Sequence, residues 1–191
     1  MKDLFFDDET YEKVNFSVKK FEKAEYDTCT FINCAFVNVD LSNSSFTECE
    51  FISCNFSNAN LKNTALKNVT FKSCKLVGIQ FNECDKFLLS FNFKDCYLNI
   101  SSFYKLNLKG IHFKDCKLIE VDFTETNLTN AVFENVDLAE TIFKEADLSL
   151  ADFSSAFNFS INPAINKMKG AKFSQQNFSV LLQDFKIEII S

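Results

Sequence analysis

The sequence has no arginine and no tryptophan, and its 191 residues include one proline, three glycines and one histidine. So few chain-breaking residues argue against a loop-rich domain or modules joined by flexible linkers. Every one of the 20 basic residues is lysine. Arginine is the preferred reader of guanine edges and phosphates, so its absence argues against direct nucleic-acid binding. A net charge of -6 argues the same way, because phosphate repels such a chain overall. No run approaches the roughly 18 consecutive apolar residues of a membrane span. Before acids intervene, the apolar run at the start is only Leu4-Phe5-Phe6, too short for the core of a signal peptide. A cytoplasmic protein with reduced thiols is therefore expected.

Catalytic and cofactor chemistry is short of parts. The lone His112 has no second histidine with which to build a triad, and there is neither a glycine-rich phosphate loop nor a G-x-S-x-G segment. No C-x-x-C pair occurs among the eight cysteines. The expectation is a non-enzymatic protein without metal or cofactor.

What the chain does have is phenylalanine, 25 of them, at a fixed interval. From Phe16 a large apolar residue recurs at every fifth position to Phe81, through Phe31, Leu41, Phe51, Leu61 and Phe71. The series then breaks, shifts by two, and runs from Leu98 to Phe153, giving 26 such centres in all. Two residues before each centre stands a small or β-branched residue, as at Ala24, Cys34, Ala59, Val121 and Ala146. The other three positions are mostly polar. A period of five is neither helical nor that of a plain strand. Residues two apart on extended chain face the same way, so the small residue and the centre both point inward, and a corner must follow. Repetition winds a coil around an apolar interior. Phe and Leu alternate in the second block, and Cys29/Cys49, Cys34/Cys54/Cys74 and Cys96/Cys116 lie 20 residues apart; both fit four faces of five residues.

Segments such as Ala131-Val132-Phe133-Glu134-Asn135 and Ala151-Asp152-Phe153-Ser154-Ser155 resemble the A-(D/N)-(L/F)-x-x signature of pentapeptide-repeat proteins. The resemblance spans residues 14–155 and implies an all-β solenoid, a right-handed quadrilateral β-helix, with a short C-terminal helix. Residues 1–13 are expected to cap one end and residues 156–191 the other. All eight cysteines fall at the small inward position, where they act as small hydrophobes interchangeable with Ala or Val. Stacked pairs would also lie within reach of disulfide formation. In the irregular stretch 82–96 a lysine takes the place of a centre. It is either a bulge that resets the register or a projecting contact surface carrying Phe87.

Charge is banded. Residues 1–50 carry -6, residues 51–118 +6 and residues 119–155 -8. Four-sided coils would stack Glu120 with Glu140 and Glu125 with Glu145, beside Asp122 and Asp137, as an acidic partner-binding surface. The quinolone-resistance branch that this chain resembles implies a DNA mimic. Such a protein binds DNA gyrase or topoisomerase IV, both type II topoisomerases, and confers quinolone or toxin resistance. The alternative is a structural or scaffolding solenoid with another protein partner. The tail places Phe178, Leu181, Leu182 and Phe185 on one helical stripe, followed by Ile187 and Ile189 in a short strand. It serves either to close the coil of a monomer or, as in that branch, to join a homodimer.

Overall fold

A pair of inward residues every five positions cannot bury itself on a single turn of chain, so stability must come from stacking turn upon turn. The computed structural model, which describes residues 4–185, is such a stack. Its first face is a four-stranded parallel sheet, β1 (Phe5–Asp7), β3 (Glu25–Asp27), β5 (Ser45–Thr47) and β7 (Ala65–Lys67). Its second face is a nine-stranded parallel sheet, β2 (Thr10–Glu12), β4 (Thr30–Ile32), β6 (Glu50–Ile52), β8 (Val69–Lys72), β9 (Phe91–Lys94), β10 (His112–Lys114), β11 (Val132–Glu134), β12 (Asp152–Phe153) and β13 (Lys172–Phe173). The third and fourth faces are held by single parallel bridges such as Ala35↔Asn55 and Asp40↔Asn60. Rungs therefore extend beyond 14–155 on both sides: β1 and β2 lie within the segment expected to form a cap, and β13 follows Pro163.

Partners on successive coils are 20 residues apart, as in Phe31↔Phe51 and Phe113↔Phe133. Across the break the spacing is 22, in Phe71↔Phe93, Lys75↔Tyr97 and Gln80↔Ser102. Two inserted residues are absorbed once and the stack resumes. The second face keeps an unbroken column of rings through it. Phe71, Phe93, Phe113 and Phe133 stack with centroids 5.3, 5.5 and 5.4 Å apart, and all four rings are buried. Each such side chain stabilises by roughly 1.5–3 kcal/mol relative to exposure.

The corners follow a rule. The residue two after the centre has a left-handed backbone, at Asn33, Asn38, Asn43, Asn58, Asn63, Asn68, Asn130 and Asn135 among others. Asparagine tolerates this conformation better than other side chains, which explains its frequency there. The Asp or Asn just before the centre closes the same corner, its Oδ1 accepting from the N–H two residues on. Asp40 takes Ser42, Asn127 takes Thr129 and Asp147 takes Ser149, at 3.0–3.1 Å.

Inside, all eight cysteines are buried and free. The 22-residue step joins two of the expected groups into one ladder, Cys34, Cys54, Cys74, Cys96 and Cys116, all preceding third-face centres. The N–H of Cys34 donates to Cys54 Sγ and that of Cys54 to Cys74 Sγ, both at 3.4 Å. Burial pushes the Cys49 and Cys84 thiols up to about 12. They are filler rather than nucleophiles.

Past Pro163 the chain ends in a 3-10 helix, Phe178–Phe185. Leu181 is half-buried against the last coil and Leu182 is half-buried as well, so part of the expected apolar stripe closes the core. Ile187 and Ile189 lie outside the described residues.

Candidate functional site

The six acidic residues expected to form a partner surface are divided by the corner rule into two kinds. Glu120, Glu125, Glu140 and Glu145 are all left-handed corner residues, with φ of 57, 54, 58 and 56°, and all are exposed. Because Asp122 pairs with Ile142 on the fourth face, Glu120 and Glu140 line one edge of that face and Glu125 and Glu145 line the other. Two acidic columns thus frame a single face.

Asp122 and Asp137 are half-buried corner formers. Asp122 Oδ1 accepts from Thr124 N at 2.8 Å, and Asp137 Oδ1 accepts from Ala139 N at 3.2 Å and Asn158 Nδ2 at 2.9 Å. Their charge adds to the field of the surface, but their first task is to turn the chain. Sequence periodicity treated all six alike, since it separates inward from outward positions and not one outward position from another. The frequency of Asp and Asn before each centre is the signal that distinguishes them.

Pairing separates the faces further. On the second face Glu134 bridges Lys114 and His112 Nε2, the latter at 3.0 Å, and Lys114 holds the Glu134 carboxyl below its ordinary range. Asp152 is matched by Lys172 at 3.4 Å. On the framed face Glu125 meets Lys105 at 3.3 Å and Tyr104 Oη at 3.2 Å. Glu120, Glu140 and Glu145 make no ion pair with the described residues. Exposed charges that are not neutralised within the molecule project a field that a basic partner can meet.

The described residues include no group of three or more side chains able to hold a metal ion. They also contain no helix long and apolar enough to cross a membrane. Around the break, Lys86, Phe87 and Leu88 are all exposed, Phe87 by 67% and Leu88 by 65%. Lys67 Nζ stands over the Phe87 ring at 5.8 Å.

The family model described as a pentapeptide repeat region matches residues 24–92, 44–114 and 86–157. Among solved structures, HetL resembles the chain with a TM-score of 0.53 at 13% identity, over 90% of this chain and 86% of that one. HetL is a pentapeptide-repeat protein involved in heterocyst differentiation regulation in the cyanobacterium Nostoc sp. strain PCC 7120. Trypsin-treated QnrB1, a plasmid-mediated fluoroquinolone resistance protein, aligns with a TM-score of 0.49 at 20% identity, over 98% of this chain and all of that one. A comparison with curated protein sequences gives no match.

Proposed function

The chain belongs to the pentapeptide-repeat family, and from that premise we propose that it is a non-enzymatic interaction protein whose acidic columns engage a basic, DNA-handling protein surface. The observation that carries this reading is the pair of corner columns, Glu120/Glu140 and Glu125/Glu145, framing one face with three of the four carboxylates unpaired among the described residues. Two rows of anionic groups along a narrow rod resemble the charge pattern of duplex DNA. A type II topoisomerase is the partner that best fits such a mimic. Complementary fields of this kind speed association and set register more than they add affinity.

Glutamate at these corners also supports a role beyond folding, since asparagine suits a left-handed backbone better. Two copies joined through the segment from Phe178 onward would bring their acidic coils toward the middle of a longer rod. Light scattering on the full chain tests that pairing: a dimer mass supports it and a monomer mass removes it.

The experiment for the main reading is a gyrase supercoiling assay titrated with the protein, with and without a fluoroquinolone. Inhibition or drug protection is expected, and replacing Glu120, Glu125, Glu140 and Glu145 by Lys should abolish it while the fold persists. No effect at micromolar protein removes the topoisomerase reading. The lysine-rich band over residues 51–118 favours the second reading, a scaffold for a different protein partner, and that reading would then stand.

A further inference from the structure

The inserted residues leave one rung of the first face without its hydrogen bonds. Asp85 N donates to Thr64 O and Ser90 N to Leu66 O, so the loop between them hangs from β7 above. Below it, Leu108 N donates onward to Asn127 O and Gly110 N to Thr129 O. Among the described residues no backbone hydrogen bond joins residues 86–90 to residues 105–110. Among the described residues no β-bridge joins β7 to the loop or the loop to Asn107, so the sheet of this face stops at β7 and bridging resumes at Asn107↔Asn127, while the second face runs through nine strands.

The glycines measure the same gap independently. At Gly78 and Gly170 the corner residue of the preceding coil presses close to where a Cβ would stand, with Asn58 at 2.6 Å and Leu150 at 2.7 Å. The corresponding residue above Gly110 is Leu88, 22 positions earlier, and nothing lies within 4 Å. Two adjoining cavities of about 130 and 350 Å³ occupy the slit, sharing Leu89 and Asn107 in their walls. Lys86, Lys105 and Lys109 stand along it, with Leu106 and Leu108 below. Lys86 and Lys109 have no carboxylate partner among the described residues.

We propose that this slit is a docking site for an extended acidic peptide segment of a partner protein, which adds a rung along the open edge at residues 107–109. An unpaired strand edge supplies main-chain donors and acceptors to any extended chain, and side chains beside it choose which. Here the choice is electrostatic: lysines on both lips select alternating carboxylates, and the intervening residues rest on the leucines. The site lies on a different face from the acidic columns and meets them at one point, the ion pair of Lys105 with Glu125, which leaves Lys86 and Lys109 to select the peptide.

Fluorescence polarisation with a labelled acetyl-Asp-Val-Glu-Val-Asp amide tests the proposal. Saturable binding is expected, weakened at least about tenfold by Lys86→Glu with Lys109→Glu, and equally by N-methylating the peptide's central amides. Circular dichroism and thermal melting show whether the double variant keeps its fold. If it does not, the N-methylated peptide against the native chain decides alone. Absence of saturation by about 1 mM peptide overturns the proposal. Equal binding of the N-methylated peptide, or of one with Lys in place of the acids, also overturns it. Replacing Glu120, Glu140 and Glu145 by Lys, with Glu125 kept as the partner of Lys105, should leave this binding in place, so the two surfaces fail or survive separately.

Discussion

The first and second faces meet the same two extra residues and answer them differently. On the second face the ladder passes from β8 to β9 with four paired residues, and the ring column keeps its spacing. On the first face the centre due at Lys86 turns outward, the corner at Leu88 leaves its stack, and the hydrogen bonds below are lost. An insertion in a solenoid is thus confined to one side, because the other three sides already have aligned partners to hold. The interior that Lys86 vacates is closed from the neighbouring face. Phe91 stands at a small inward position, in the column of Cys49, Val69 and Ile111, and is buried against Phe81, Phe93 and Phe103 at 5.2–6.1 Å.

The largest effect expected is on the unbroken side. Phe113→Ala opens a hole between two stacked rings in a coil that cannot collapse, and should cost about 5 kcal/mol, read from urea unfolding. Phe91→Ala should cost less, about 3 kcal/mol, because its neighbours border an open slit and can relax into it. Equal losses would mean that the break is packed as tightly as the regular coils.

Next in size is acid sensitivity at the corners. The hydrogen bond from Lys23, helped by Ser42, lowers the Asp40 carboxyl from 3.8 to about 2. A folded value below the unfolded one means that its contribution is complete above about pH 4 and is lost as the pH falls through about 2. Asp40→Asn should flatten that part of the urea-midpoint profile, leaving the profile above pH 5 parallel to the native one. An unchanged acid limb would show that other corner carboxylates dominate it.

Thiol chemistry should respond little on either side. The ladder cysteines are sealed from solvent, so alkylation at pH 8 should follow global unfolding and not precede it. A faster phase confined to Cys84, which borders the break, would show local opening there.

The period, the inward pairs and the cysteine columns could all be read from residue spacing, because burial leaves its mark at every fifth position. The corners could not be read from hydropathy. Asp122 and Glu120 are both outward and acidic, yet one closes a turn and the other stands free, a distinction set by backbone dihedrals. The break was visible as a phase shift, but Phe91 was not visible as its plug. Its ring sits where the pattern calls for a small residue, and only the vacancy left by Lys86 makes room for it.

The smallest expected effect concerns the corner column Asn38, Asn58, Gly78, Ile100, Glu120 and Glu140, on the intact side of the molecule. Ile100 holds φ at 60° although it is branched at Cβ and 56% exposed. A left-handed backbone costs an ordinary side chain roughly 1–2 kcal/mol, and a β-branched one is the least suited to it. Asparagine stands two coils above at Asn58, in the same conformation. Ile100→Asn gives up little buried apolar area, so relief of strain should prevail and raise stability by about 0.5–1 kcal/mol, or about 1–3 °C in Tm. Leu88→Asn provides the matching measurement on the broken side, where the corner has left its stack and the gain should be smaller. A loss of stability at position 100 would mean that the isoleucine is held by contacts along the rod that outweigh its backbone, and that the corners are chosen by packing after all.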